Sequence, residues 1–323
     1  MSVSGRIDLH LHLDGSLSLD TVRRLASFQR LTLPEDSKLL TMLQVGDGCR
    51  DLNEYLTRFN FPLSLLQTEQ AIEFSVRSLL RELASQGLIY AEIRFAPQLH
   101  TRLGLSQAEV VEAALSGLSD SPLPASLILC CMRGAKNRME NLDTLLLAAR
   151  HRLPIDLAGA EGLYPTEDFR YLFDMARRLD VPFTIHAGEA AGPDSIRQAL
   201  DFGAVRIGHG VRSVEDPALL ALLSERGTVL ELCPTSNLQT GIYPDIGQYP
   251  LRRLMEAGVR ITLNTDNMTV SHTTLAHEFS LFPLTAQEKR QLQLNAVSAA
   301  FAEASLKSHL KSMIQEAYIQ NED

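Results

Sequence analysis

Cysteine is scarce and poorly spaced for metal binding. The four residues are Cys49, Cys130, Cys131 and Cys233, with no CxxC pair. Zinc held by thiolates is therefore excluded. Cys130 and Cys131 are neighbours in the apolar run ILCCM, where strand geometry sends them to opposite faces. That suits buried thiols in a reducing compartment better than a disulfide frame, and the cytoplasm is the expected location. Basic residues are outnumbered, 30 Lys and Arg against 39 Asp and Glu, for a formal charge of −9. A nucleic-acid partner needs clustered cations, whereas Arg23-Arg24 and Arg252-Arg253 fall in helical patterns and read as solvated faces. No apolar run reaches the roughly eighteen residues of a membrane span. The first residues show no basic segment followed by an apolar run, so a secretory signal is not expected. Low-complexity and Pro/Gly-rich linkers are also missing. The 323 residues read as one domain, 1–323, a size that barrels reach. Nothing in the sequence reports an oligomeric state.

What recurs is a short apolar or β-branched run followed by a helical pattern. The runs are RIDLHLHL from Arg6, IYAEIRFAP from Ile89, ASLILCCMR from Ala125, PIDLAGAE from Pro154, PFTIHAGE from Pro182, VRIGHG from Val205, TVLELCPTSN from Thr228 and RITLNTD from Arg260. Between them lie amphipathic stretches such as QAIEFSVRSLLRELASQG and DPALLALLSERG, the second ending on a helix-stopping Gly. Strands alternating with helices imply βαβ units and a parallel sheet. Eight of them imply an α/β fold of the (β/α)8 TIM-barrel kind; an open dinucleotide-binding sheet would need GxGxxG where HLHLDG stands. The connection after the first strand is long, about residues 16–88, and reads as a helical lid. The tail after about Leu284 reads as extra helix packed outside the barrel.

The chemically capable residues gather at the C-terminal ends of these strands, the face on which barrel enzymes build their sites. His10 and His12 share a strand face, and Asp14 follows. His186 ends the fifth run, His209 the sixth and Asp266 the eighth. Three of these imidazoles with the Asp266 carboxylate make a zinc shell with room for water. Taken singly, each has an ordinary alternative: a hydrogen-bonded core histidine, or an aspartate capping a helix. PIDLAGAE carries no lysine to bridge a second metal, so one ion is expected. Glu189, three residues after His186, is placed to hold a proton for a substrate nitrogen; its alternative is to open the helix GPDSIRQALDFG. His100, His151, His272, His277 and His309 fall in loop or helix patterns and read as ordinary polar residues, with His272 near enough to the eighth run to reach the rim.

HLHLDGSLS, DLAGAEG, TIHAGEAAGPDSI, RIGHGV, ELCPTSN and LNTDN, in this order, closely resemble the adenosine deaminase family from about residue 6 to about residue 277. The resemblance implies hydrolytic deamination of adenosine, and of 2′-deoxyadenosine, to inosine and ammonia. It implies one Zn2+ on His10, His12, His186 and Asp266, with Asp266 also holding the attacking water. Glu189 is implied as the acid that protonates purine N1. His209, a ligand on spacing alone, is implied instead to orient the attacking water. Gly159 is implied to bond purine N3 through its amide, and Asp14 to receive the ribose 5′-hydroxyl, with His12 at the substrate's edge. Two positions depart from the family pattern. Asn267 stands where a second acid is usual, and its amide can still donate to N7; Ala160 stands where many relatives carry an acid. Relatives acting on free adenine tend to have Glu at position 14, so Asp14 favours a nucleoside, and a carboxylate there repels a 5′-phosphate. Leu52, Tyr55, Leu56, Phe59 and Phe61 resemble a hydrophobic gate, or else the packed face of a helix. Two other readings compete: a deaminase of a related 6-aminopurine such as adenine or aminodeoxyfutalosine, and a purine-binding barrel without catalysis. The zinc signature of polynucleotide deaminases is absent.

Overall fold

A computed structural model describes residues 5–46 and 48–319; the ends of the 1–323 span lie outside the described residues. Eight strands form: β1 Arg6–His12, β2 Leu88–Phe95, β3 Ala125–Met132, β4 Ile155–Ala158, β5 Thr184–Ala187, β6 Arg206–His209, β7 Val229–Leu232 and β8 Arg260–Leu263. All pair in parallel and in chain order, β1 to β4 and β5 to β8. Bridges Ile155↔Phe183 and Leu11↔Asp266 join the two halves into a closed barrel. At the second seam His12 N–H donates to Asp266 O at 2.7 Å and Asp266 N–H to His10 O at 2.8 Å. Closure thus sets the last strand's aspartate against the first strand's two histidines. Strands β4 to β8 are each four residues long, shorter than the sequence runs. The ends of those runs leave the ladder to become loops at the barrel mouth.

Helices form where the sequence marks their ends. In Pro217–Arg226, Asp216 accepts from the amides of Ala218 and Leu219, Pro217 occupies the first turn, and Gly227 closes the helix in the left-handed region, as capping chemistry requires. The long first connection holds α1 Leu19–Phe28, α2 Asp36–Leu43, α3 Leu52–Leu56, α4 Asn60–Leu65 and α5 Glu69–Ser85. Of these, α5 buries Ile72, Val76, Leu79, Leu80 and Leu83 in the main core beside β2 and acts as an outer barrel helix. The earlier helices close around their own cluster of Leu17, Val22, Leu25, Leu39, Leu43, Leu65 and Leu66.

The C-terminal helices pack outside the barrel. Ala286–Ala299 and Ala304–Ile319 lie across its bottom, where Ile7, Leu9, Ile89 and Tyr90 meet Ala296, Val297, Leu310 and Ile314. Gln293 Oε1 accepts Ile7 N–H at 2.8 Å, and Asn295 donates to Ile261 O at 3.0 Å. Unpaired backbone groups at the strand starts explain this placement, since a buried end needs partners.

The barrel interior is charged rather than a stack of branched apolar layers. Arg94 and Arg206 are almost wholly buried. Arg94 pairs with Asp156 at 2.9 Å and Glu231 at 2.7 Å; Arg206 pairs with Glu231 and Glu92, both at 2.6 Å. Four carboxylate contacts on two guanidinium groups offset the cost of taking these charges out of water.

Glu278, in the helix Leu275–Ser280, is fully buried and has no cationic partner. It accepts from Thr235 N–H at 3.1 Å and from the Thr273 hydroxyl, and burial pushes its carboxyl up to about 7, with Asp8 adding to the effect. A carboxyl that binds its proton more tightly folded than unfolded contributes stability below its ordinary value near 4.5, and this is lost as pH rises through about 7. Glu278→Gln should therefore gain thermal stability relative to the native chain on going from pH 5 to pH 8. The swing is on the order of 2–4 kcal/mol, readable by melting both proteins at both pH values. An unchanged difference would show that Glu278 is not protonated in the fold.

Candidate active site

The mouth of the barrel is built first from β1. Its register with β2 slips between Asp8 and Leu11, and His10 N–H turns to Asp8 Oδ1 at 3.1 Å; such irregularities re-aim side chains. His10 Nδ1 lies 2.8 Å from Glu231 Oε2. Its Nε2 is buried without a hydrogen-bond partner and sits 3.4 Å from Asp266 Oδ1. His12 Nε2 lies 3.3 Å from His186 Nε2 and 3.4 Å from Asp266 Oδ1. His186 turns its Nδ1 to Asp156 Oδ2 at 2.8 Å, too skewed for a linear hydrogen bond. Carboxylates behind His10 and His186 take the Nδ1 protons and leave lone pairs facing inward.

These distances test the fit of a metal. Zinc bonded at about 2.0–2.1 Å sets tetrahedral ligands roughly 3.3–3.4 Å apart, and three of the six separations among His10, His12, His186 and Asp266, those just given, match. One donor atom each of His10, His186, His209 and Asp266 also lies within 4.8 Å of the others. Yet His209 is committed elsewhere. Tyr249 donates to Asn237 Oδ1 at 3.0 Å, which turns the Asn237 amide toward His209 Nδ1, also at 3.0 Å. With Nδ1 accepting, the proton of neutral His209 resides on Nε2, 3.6 Å from Glu189 Oε2. An N–H there donates; it does not ligate. The residues present fit one cation on the first four groups, with His209 beside it.

The electrostatics separate the two carboxyls. Burial opposes ionisation of Asp266, but the facing imidazoles of His10, His209 and His12 outweigh it and hold the carboxyl far below the usual range. Burial pushes Glu189 well above that range, and the nearby charges of Asp266 and Glu161 add to it. His12 and His209 are held well below their ordinary value by burial. The two carboxyls are thus pushed in opposite directions, Asp266 toward the ionised form and Glu189 toward the protonated one, the division of labour acid–base chemistry needs. His209 and Asp266 both have φ of 60°, a left-handed backbone that costs free energy at non-glycine residues and concentrates at working sites.

A single cleft joins these groups. His12, Asp14, His186, Glu189, His209, Asp266 and Asn267 line its floor, Gly159 and Ala160 one wall, and Leu52, Tyr55, Leu56 and Phe59 its roof. Of the residues expected from sequence, two do not line this cleft: His10, which reaches the site through its 3.4 Å approach to Asp266, and Phe61, which packs into the small core of the insertion. Of the histidines set aside, His272 bonds Gln44 at 3.1 Å and is not in the cleft; His100 is buried against Leu66 O at 2.8 Å, its pKa lowered to about 4 by burial. Asp14 is buried, with Oδ1 unpartnered and its carboxyl pushed up to about 6 by burial. Asn267 Oδ1 is likewise unpartnered, and it presses on Gly15 so closely that a Cβ there would lie 1.8 Å away. Buried oxygens without a partner are uncommon, and these two belong to residues that line the cleft. Tyr55 reaches down from α3 to Ser271 Oγ at 2.6 Å and anchors the roof. Sequence reasoning missed Asp156, Glu231, Arg94, Arg133 and Glu161. For Arg94, Asp156 and Glu231 the visible signal was a charged residue inside an otherwise apolar strand run, as in IYAEIRF, PIDL and VLEL; Arg133 and Glu161 follow the ends of β3 and β4 and carried no such signal.

A parallel barrel whose strand ends gather imidazoles and two carboxyls pushed in opposite directions has the make-up of a metal-dependent hydrolase. The chain belongs to the adenosine deaminase family, whose sequence model, described as adenosine deaminase, matches residues 5–317 and so includes the C-terminal helices. It is 49% identical to a protein named adenosine deaminase from Haemophilus ducreyi, over 98% of this chain and 97% of that one. A second adenosine deaminase, from Enterococcus faecalis, is 39% identical over 97% of each. Among solved structures, adenine deaminase from Arthrobacter aurescens superposes with a TM-score of 0.86 at 25% identity, covering 96% of this chain and 98% of that one. Among the described residues no helix is long and apolar enough to cross a membrane.

Proposed function

We propose that the chain deaminates adenosine, and 2′-deoxyadenosine, to inosine and ammonia, using one zinc ion on His10, His12, His186 and Asp266. The observation that carries the reading is the 3.3–3.4 Å spacing of three pairs among those donor atoms, with the buried Glu189 carboxyl, pushed toward its protonated form, in the same cleft. When bound, the cation lowers the pKa of a water that attacks purine C6. Glu189 delivers its proton to N1, which draws electron density from C6. The His209 Nε2–H orients the attacking oxygen and Asp266 accepts a hydrogen bond from it; of that oxygen's two protons, one leaves with the amino group as ammonia when the C6–N bond breaks and the other restores Glu189. Gly159 N–H donates to N3, the Asn267 amide to N7, and Asp14 accepts the ribose 5′-hydroxyl. A buried carboxylate at that end disfavours a 5′-phosphate. The helices over the cleft act as a lid. The four cysteines are unpaired, which supports a cytoplasmic location.

Purified protein should lower the ultraviolet absorbance of adenosine quickly and that of AMP and adenine slowly, with chelator abolishing the change and zinc restoring it. Activity confined to a 5′-extended nucleoside would keep the chemistry and move the substrate; silence on every 6-aminopurine would leave a binding barrel. Asp266→Ala should lose bound metal, measured by elemental analysis, together with turnover.

A further inference from the structure

Glu161, in the loop after β4, faces five donors and no acceptor. Its Oε1 accepts the amide of Gly188 at 2.8 Å and the Ser195 hydroxyl at 2.5 Å. Its Oε2 accepts the amides of Glu189 at 3.0 Å, Ala190 at 2.7 Å and Ala191 at 2.9 Å. Four successive backbone N–H groups turned to one point form a concave anion site. Gly188, with φ of +71°, makes the turn possible. Such concavities commonly hold a ligand; here a side chain from the neighbouring loop fills the space, and Glu161 is only 2% exposed.

The support extends further back. Ser195 donates to Glu161, so its oxygen accepts from Thr166 at 2.7 Å, and Thr166 in turn accepts from Arg133 at 3.0 Å. The same guanidinium donates to His186 O at 2.6 Å and Tyr164 O at 2.7 Å. The chain Arg133, Thr166, Ser195, Glu161 runs donor to acceptor without a break, with only the Arg133 Nε left unpartnered. It grips the segment from both sides: Arg133 holds the carbonyl of His186, and Glu161 holds the amides just after it. Glu189 hangs from the middle of that gripped segment.

We propose that Glu161 is a positioning residue that clamps residues 188–191 and thereby aims the Glu189 carboxyl at the substrate nitrogen. This rests on the proposed role of Glu189. Without Glu161 the four amides have no buried partner, and the segment is free to take other conformations. A displacement of about 1 Å at a reacting group can cost roughly 100-fold in rate, while Asp14, Gly159 and Asn267 sit on other loops and continue to hold substrate.

The test combines amide hydrogen exchange over residues 188–191 with adenosine kinetics for Glu161→Ala, Glu161→Gln and Ser195→Ala. Glu161→Ala should speed exchange of those amides by at least about tenfold and lower kcat roughly 30- to 100-fold, with KM within about threefold. Glu161→Gln keeps one acceptor oxygen and should fall between it and the native protein; Ser195→Ala removes one of five donors and should lose only a few-fold in kcat. If Glu161→Ala does not fold, the two milder variants carry the same readouts. Unchanged exchange overturns the clamp, as does a loss carried by KM instead of kcat. Native protein inactive on adenosine would count against the proposed function, and the exchange arm would still decide whether Glu161 holds the segment.

Discussion

Glu189→Gln should keep the fold and the bound metal and lose about 1,000-fold in kcat, within the range that a general acid contributes. The substitution exchanges a hydroxyl for an NH2 of nearly the same shape, so the cleft and the lid above it are undisturbed. What it removes is a transferable proton. Burial and the flanking charges of Asp266 and Glu161 keep that proton on Glu189, and a carboxamide has none to give. KM should change little, because the amide can still donate a hydrogen bond to N1. Metal content by elemental analysis and kcat by absorbance separate the two components of the expectation. Near-native kcat would mean that the proton comes from elsewhere, and the His209 Nε2–H, 3.6 Å away, would be the next donor to examine.

The residues that touch the substrate space were legible in the sequence because each ends a strand and is followed by punctuation. HLHLDG, IHAGE, IGHG and LNTD break a period-two apolar pattern with a Gly, Asp or Asn just where the chain must leave the ladder. Their spacing already put His10 and His12 on one face. The partner of each buried charge was not legible. Arg94 pairs with residues 62 and 137 positions away, and only closure of the barrel decides which carboxylates line up beneath which histidine. For the same reason His209 looked like a ligand by spacing. The argument against it, the Asn237 amide 3.0 Å from its Nδ1 and 28 residues on, is one that no local pattern encodes. Phe61 failed as a gate residue because an apolar helix face in the insertion has two places to bury itself, the cleft and the insertion's own core, and periodicity cannot choose between them. That the tail packs as helix outside the barrel was legible; which end it covers was not, because helical patterning says that a helix packs and not where.

Arg94→Met should destabilise the fold by about 3–5 kcal/mol, the cost of leaving buried carboxylates without their partner. Arg94 is fully buried beneath the site. One guanidinium bridges Asp156 Oδ2 at 2.9 Å, Glu231 Oε2 at 2.7 Å and the carbonyl of Leu9 at 2.7 Å. Both carboxylates also face a histidine: Glu231 Oε2 lies 2.8 Å from His10 Nδ1, and Asp156 Oδ2 lies 2.8 Å from His186 Nδ1. Loss of the cation would therefore reach the proposed metal site as well as the core, because Asp156 then has no arginine beside it, while Glu231 keeps Arg206, and a carboxylate without its counter-charge takes a proton and no longer fixes the His186 imidazole. Zinc affinity should weaken by about 10- to 100-fold, the usual effect of disturbing the groups behind a ligand. Arg94→Lys retains the charge, but an ammonium on a flexible stem cannot bridge two carboxylates and a carbonyl in a fixed fork. It should recover part of the stability and less of the metal affinity. Denaturant unfolding of chelator-treated protein isolates the first effect, and zinc competition against an indicator dye measures the second. If Arg94→Met unfolds at the native midpoint, the charges in the barrel contribute nothing net to the fold. If it loses stability while zinc affinity holds, Asp156 and Glu231 keep the histidines in place without help from beneath.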